Sequence, residues 1–389
     1  MLILRSSILS GFSFSNNKAK KITNFDSIDS YLALNKGWHL GYITYDLKNN
    51  FEDLQSKNPD YLDWPPMLFF DPDILILLQK HTLTVISNSL MSCAEVFKDL
   101  IKLPSPNFNP VHFRLTPRIS KIEYLEKIFQ IKKRIYNGDI YEVNFCHELY
   151  THAKIDPYSY FSLINNLSPS PFASFFKVKD KYLLCLSPER FLKKEGDSIL
   201  MQPMKGTAPR SVFEKEDLNL KVELLADIKE RSENIMIVDL VRNDLSKIAH
   251  KNSVRVEELC KIYSFAHVHQ MISSIRAKLR TNLFSEIIKA TFPMGSMTGA
   301  PKIEAMKIID DYETIKRGLY SGAVGYISPS FDFDFNVVIR SLQYNAKIDY
   351  LSYMVGSAIT ALSDPAKEYE ECLLKAYGIR NDFNKEVYT

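Results

Sequence analysis

Apolar and polar positions along the 389-residue chain change period several times, and each change marks an element. Up to about residue 110 the apolar runs are short, as in Met67–Phe70 and Ile74–Leu78, and Asn, Asp and Pro punctuate them. They predict strands joined by irregular connections. The Pro- and Asn-rich stretch from Leu103 to Pro110 reads as a connector, dividing an N-terminal region (1–110) from a larger one (111–389). Beyond it Ser120-x-x-Glu123 predicts a capping box opening a helix, which Asn137-Gly138 closes. Ile140–Leu149, Ala173–Val178, Tyr182–Leu186 and Ser198–Gln202 follow as strands, interrupted by a short helix begun at Asp156-Pro157. Mostly turn-length gaps between them predict antiparallel pairing. From about Lys215 to Ile248 the chain is strongly helical, with room for a break. Strand patterns return at His267–Leu279, Gly322–Ser328, Phe335–Tyr344 and Tyr350–Ile359, before Asp364-Pro365 caps a final helix to about Ala376. Strands in groups and helices in groups predict an α+β or layered α/β fold rather than a regular βαβ winding.

Composition narrows the setting. Hydrophobic residues at 46% and charged residues at 24% suit a soluble globular protein. A net charge of +3, with basic and acidic residues interspersed, leaves no nucleic-acid footprint. Cys93, Cys146, Cys185, Cys260 and Cys372 form no CxxC pair and are odd in number, which predicts reduced, mostly buried thiols in a cytoplasmic protein. Arg5 interrupts the apolar start before a signal-peptide core can form, and no run approaches the roughly 20 apolar residues of a membrane span.

Several residues suggest chemistry. Lys205, in Gln202-Pro-Met-Lys-Gly-Thr207, is expected where a strand end turns into a tight loop. Glu230 and Glu233 lie three apart on one helix, and Glu368 and Glu371 repeat that spacing on the last. Either pair alone reads best as a solvated helix face. If the helices meet, four carboxylates repel unless a divalent cation sits between them, and oxygen ligands favour Mg²⁺. The loop Gly295-Ser-Met-Thr-Gly-Ala-Pro-Lys302 precedes a helix and predicts an anion cradle. Its glycine-to-lysine spacing is not that of a nucleotide-binding loop, so a carboxylate is the natural guest. Arg340 alternates with apolar neighbours on an expected strand and, as a planar fork, suits a carboxylate. Glu189, in Ser187-Pro-Glu-Arg-Phe191, is a candidate general acid or base.

These segments together resemble the chorismate-utilising enzymes, which include anthranilate, aminodeoxychorismate, isochorismate and salicylate synthases. The runs that carry the resemblance are GDIYEVNF, SPERFL, PMKGTAPR, DIKERSENIMIVDLVRNDL, FPMGSMTGAPKIEAMKIID, SGAVGYIS and SDPAKEYEECLLKA, spread over about two thirds of the chain. The resemblance implies a large layered sandwich of two mainly antiparallel sheets flanked by helices, with chorismate and Mg²⁺ in a cleft. It implies that Glu230, Glu233, Glu368 and Glu371 bind the metal, and that Ser296, Tyr326, Arg340, Gly356 and Lys375 hold chorismate, with Thr207 lining the pocket.

Two positions select a branch. Lys205 stands where anthranilate synthases carry Ala, and Glu142 stands where isochorismate and salicylate synthases carry a water-activating Lys. Both favour similarity to aminodeoxychorismate synthase component I, in which Lys205 would attack C2 of chorismate and Glu189 would protonate the departing 4-hydroxyl. Lys205 must then be a neutral amine, so its pKa is expected to be lowered. Gln270 replaces a His associated with pyruvate loss in anthranilate synthases, Ala358 replaces a usual Gly, and the Leu-Leu-Glu-Ser motif of tryptophan-binding relatives is missing. No Gly-x-Cys-x-Gly elbow is present, so ammonia is expected from solution or from a separate glutamine amidotransferase subunit. Anthranilate synthase component I and a non-catalytic chorismate-binding relative are the alternatives.

Overall fold

The computed structural model describes residues 2–5, 10–14, 21–79, 81–88, 90–102, 113–265 and 268–377. The predicted connector at 103–110 and His267 lie outside them. Among the described residues two large sheets form, one of 11 strands and one of 10, and every strand pairing is antiparallel. The 11-stranded sheet includes Glu142–His152, Tyr350–Thr360, Ser341–Asn345, Lys181–Ser187 and Phe172–Val178, and continues into the N-terminal strand Leu2–Arg5. The 10-stranded sheet includes Met204–Pro209, Val268–Lys278, Ser198–Gln202, Arg190–Glu195, Phe333–Val337, Ala323–Ile327 and His39–Ile43. The first 100 residues thus supply strands to both sheets.

Continuous apolar runs become strands here because both faces of each sheet are covered. In Met67–Phe70, Leu68 and Phe70 join a cluster between the sheets, whereas Met67 and Phe69 pack outward beneath the helices Ile228–Ser246 and Phe284–Thr291. In Lys181–Ser187, Leu183 and Cys185 face the inter-sheet layer, and Leu184 and Leu186 face the helices Pro157–Leu167 and Pro365–Tyr377. The layered sandwich expected from the resemblance is the observed fold.

Helix ends follow their sequence signals. Both halves of the Ser120–Glu123 capping box form over Lys121–Tyr136, and Gly138 takes the left-handed φ of +85° beyond it. The long helical stretch breaks at Asp227, between Glu214–Ala226 and Ile228–Ser246, and the Asp227 carboxylate caps the second helix by accepting from the Glu230 N–H at 2.9 Å.

One predicted element is different. The expected strand Phe335–Tyr344 is two strands in different sheets, Phe333–Val337 and Ser341–Asn345. The chain crosses between the sheets at Val338–Arg340, and Arg340 takes a left-handed φ of +48°. With no Gly or Pro at the crossing, the alternation of residue types continues straight through it. Of the cysteines, Cys93 is exposed and the other four are buried, all of them free thiols. Among the described residues no helix is long and apolar enough to cross a membrane.

Candidate active site

A cleft of about 510 Å³ opens where the strand Met204–Pro209 meets the helices Ile228–Ser246 and Pro365–Tyr377. Lys205 reaches it from a bulge rather than from a tight loop. Met204–Pro209 pairs with Val268–Lys278, but the register slips between Met204 and Thr207, where Gly206 adopts a φ of +87°. A bulge of this kind re-aims a side chain without ending the strand. A Cβ at Gly206 would also lie 3.2 Å from Glu230 Oε2, so the strand and the acidic helix approach closely there.

Lys205 Nζ donates to Glu142 Oε1 at 2.8 Å, and the Glu142 side chain is 1% exposed. Burial alone would push the Lys205 ammonium towards the neutral amine, but Glu142, Glu233 and Glu189 outweigh it and hold the group above its ordinary value. The expected lowering is therefore not found. The sequence places the carboxylates far from Lys205 along the chain, so their convergence on it was not visible there.

Glu189 directly precedes the strand Arg190–Glu195 and is buried. Its carboxyl is pushed up to about 7 by burial, partly opposed by the Ser296 hydrogen bond, Lys205, the Met204 N–H and Arg340. The Ser296 hydroxyl donates to Glu189 Oε1 at 2.8 Å. Ser296 and Met297 are the parts of the Gly295–Lys302 loop that line the cleft. Gly299 and Ala300 instead pair with Val143 and Glu142, and Lys302 turns to Asp244. The predicted cradle thus reduces to one hydroxyl and its neighbour.

Arg340 lines the cleft from the sheet crossing, not from a strand. Burial pushes its guanidinium below the ordinary value, with Tyr353 and Glu189 acting the other way. It makes no hydrogen bond or ion pair with another side chain among the described residues, which leaves its fork available to an anion.

The two acidic pairs face the same cleft, Glu230 and Glu233 from one helix and Glu368 and Glu371 from the other. Lys229 stands between the helices, with its Nζ 3.7 Å from Glu233 and 3.3 Å from Glu368. Glu233 Oε1 is buried without a hydrogen-bond partner, and its carboxyl is raised to about 7 by burial, opposed by Lys205 and reinforced by Glu142. An orphaned buried oxygen among all-oxygen donors fits a hard divalent cation. Among the described residues no three acidic, His or Cys side chains yet converge closely enough to enclose an ion. The donor chemistry fits Mg²⁺.

Thr207, Gly356 and Lys375 also line the cleft. The Gln270 amide donates to the Thr207 hydroxyl. Lys375 Nζ donates to the Gly356 carbonyl at 2.9 Å and pairs with Glu371 at 2.7 Å. A Cβ at Gly356 would meet Cys146 Sγ at 2.5 Å, so a close strand approach requires glycine there. Tyr326 is not at the cleft. It shares a strand face with Val324, packs at 5.6 Å on the Trp38 ring, and belongs with the inter-sheet cluster. Alternation along Ala323–Ile327 turns it there. Tyr353, Tyr320, Asn144 and Lys229 line the cleft without having been anticipated. Lys229 adjoins an acidic pair, but nothing in the local pattern marks the other three.

The model of the family described as chorismate binding enzyme matches residues 8–381. The chain belongs to this family. As a chorismate binding enzyme it is 33% identical over 358 residues to the aminodeoxychorismate synthase component 1 of Escherichia coli K12, covering 90% of this chain and 78% of that protein. It is also 31% identical to the anthranilate synthase component 1 of Saccharolobus solfataricus, covering 90% of this chain and 82% of that protein. The crystal structure of anthranilate synthase component I from Streptococcus pneumoniae TIGR4 shares the fold, with a TM-score of 0.86 at 24% identity over 96% of this chain and 92% of that one.

Proposed function

We propose that this chorismate binding enzyme is an aminodeoxychorismate synthase component, converting chorismate and ammonia to 4-amino-4-deoxychorismate. The observation that carries the proposal is a largely enclosed lysine, Lys205, in one cleft with an acid poised near neutrality, Glu189, and an unengaged guanidinium, Arg340. The 33% identity to the Escherichia coli aminodeoxychorismate synthase component 1 supports it.

Direct replacement of a hydroxyl by an amine at one ring carbon is difficult, and covalent catalysis divides it into two allylic steps. Lys205 first passes a proton to the Glu142 carboxylate along their 2.8 Å hydrogen bond and becomes a neutral amine. Its nitrogen then bonds to C2 of chorismate, both conjugated ring double bonds shift by one position, and the C4–O bond breaks. Glu189 gives its proton to the departing oxygen, releasing water. Ammonia next bonds to C4, both double bonds shift back, and the C2–N bond breaks with its electron pair returning to Lys205. The new C4 ammonium loses a proton to Glu189, and Glu142 returns its proton to Lys205. The sum is chorismate and ammonia giving the amino product and water.

Arg340 and Lys375 hold carboxylates of the substrate in this scheme, with the Ser296 loop and Gly356 shaping the pocket. Glu230, Glu233, Glu368 and Glu371 would hold Mg²⁺, which when bound neutralises a substrate carboxylate and withdraws electron density. Ammonia would come from solution or from a separate glutamine amidotransferase.

The test compares the wild type with Lys205→Ala, using chorismate, Mg²⁺ and ammonium, with products assigned by NMR. Because the 2-amino and 4-amino isomers have one mass, the position of the new nitrogen must be read directly. The wild type should give the 4-amino product, and the variant should lose it. Wild-type formation of that product by Lys205→Ala would reject the mechanism, and anthranilate from the wild type would reject the assignment.

A further inference from the structure

Arg317 is among the largest fully buried side chains, yet it does not line the cleft. Each of its guanidinium N–H directions is used. Nε donates to Glu313 Oε2 at 2.9 Å and one Nη donates to Glu313 Oε1 at 2.6 Å. The same Nη donates to the Asn144 carbonyl at 2.8 Å, while the other donates to the Met297 carbonyl at 2.7 Å and to Ser321 Oγ at 3.0 Å. Glu313 Oε1 also accepts the Cys146 N–H at 2.9 Å.

A buried ion pair is a poor source of stability, because desolvating two charges offsets most of their attraction. What this pair does instead is tie together two segments distant in sequence. Asn144 lies on the strand Glu142–His152, two residues after Glu142, the partner of Lys205. Met297 lies in the turn Gly295–Met297, next to Ser296, the partner of Glu189. Asn144 and Met297 both line the cleft, so the guanidinium grips its wall from behind at two points.

We infer that Arg317 and Glu313 form a positioning element for the reaction, fixing the Lys205–Glu142 pair relative to the Glu189–Ser296 pair. The inference rests on the roles proposed for Lys205 and Glu189. A planar fork is required, since Lys keeps the charge opposite Glu313 but has three donors and cannot span both carbonyls and Ser321. A misplacement of about 1 Å can cost on the order of 10²-fold in rate.

The test uses Arg317→Lys, Ser296→Ala and the double variant, with folding checked by circular dichroism. At saturating Mg²⁺ and constant free ammonia, Arg317→Lys should lower kcat roughly 10- to 100-fold with little change in KM for chorismate. The alkaline limb of kcat/KM set by Glu189 should move to higher pH, as in Ser296→Ala, because each variant weakens the hydroxyl contact that stabilises the carboxylate. Lys205, which also lowers the Glu189 carboxyl, is displaced with Glu142 in Arg317→Lys and moves the limb in the same direction, while Arg340 and the Met204 N–H are present in all variants. The double variant should shift by less than the sum of the two single variants, because the hydroxyl contact can be lost only once. Should Arg317→Lys not fold, Glu313→Gln, which keeps one acceptor oxygen, should show the same limb and kcat changes. A folded Arg317→Lys or Glu313→Gln with wild-type kcat and an unmoved limb overturns the inference, as does an additive shift in the double variant. Failure of the proposed reaction is read separately, from the product made by Lys205→Ala.

Discussion

Replacing Glu189 with Gln should make the protein inactive and, at alkaline pH, more stable. In the folded chain the Glu189 carboxyl titrates at about 7 against an ordinary 4.5, chiefly because it is buried. At pH 7 about half of it is protonated, whereas an unperturbed carboxyl would be protonated to roughly one part in 300. The cleft thus holds on the order of 150-fold more of the acid form. The same shift destabilises the fold. A folded pKa above the unfolded one gives stability that is complete below about 4.5 and lost as pH rises through about 7. At about 1.4 kcal/mol per unit, the full loss is roughly 3.5 kcal/mol. Gln cannot ionise and escapes it. Chemical denaturation of both proteins at pH 5 and pH 8.5 reads the difference, which should favour Glu189→Gln by about 2–3 kcal/mol more at the higher pH. Turnover at constant free ammonia should fall by roughly 10²- to 10⁴-fold. Equal pH dependence of stability in the two proteins would show that Glu189 is not held protonated by burial. Wild-type turnover in the variant would remove it as the acid.

Two further outcomes follow from the same geometry. Chelator-treated enzyme should lose turnover and regain it with Mg²⁺, and Glu233→Ala should require more Mg²⁺ or fail while keeping its melting temperature within a few degrees; full activity in metal-free buffer would refute the metal site. His147 is buried with neither ring nitrogen hydrogen-bonded, and burial lowers its pKa from 6.5 to about 4. Its neutral form gives stability that is present above about 6.5 and lost as pH falls through about 4, up to about 3 kcal/mol, so His147→Phe should be relatively more stable than wild type at pH 4.5 than at pH 8 by denaturant midpoint.

Signals that act locally were readable from the sequence. The Ser120 box and Asp364 fix helix starts through contacts within a turn, so the residues that make them are neighbours in the chain. Strands buried on both faces were readable as apolar runs, as in Met67–Phe70. The crossing at Arg340 was not, because a left-handed φ at a non-glycine residue depends on the two sheets it joins. The motifs brought Lys205, Glu189 and both acidic pairs to notice, and the fold gathers them in one cleft. It was the partners of these residues that stayed hidden. Glu142 on Lys205 and Ser296 on Glu189 are contacts between segments far apart in sequence. Tyr326 packs with the inter-sheet cluster, and no residue of its strand lines the cleft, which the pattern of that strand alone does not reveal.

The early strands carry a cost in time. His39–Ile43 is paired on one side by Ala323–Ile327, with Tyr42 opposite Val324, and Leu2–Arg5 waits for Phe172–Val178. At roughly 5–20 residues per second a ribosome needs on the order of tens of seconds to make the chain between Tyr42 and Val324. During that time Leu40 and Tyr42, destined for the inter-sheet core, lack that partner strand. Long-range pairing of this kind slows folding, because loop closure must precede the contacts that reward it. The nascent chain therefore presents apolar strand surface to chaperones, and to aggregation, for most of its synthesis.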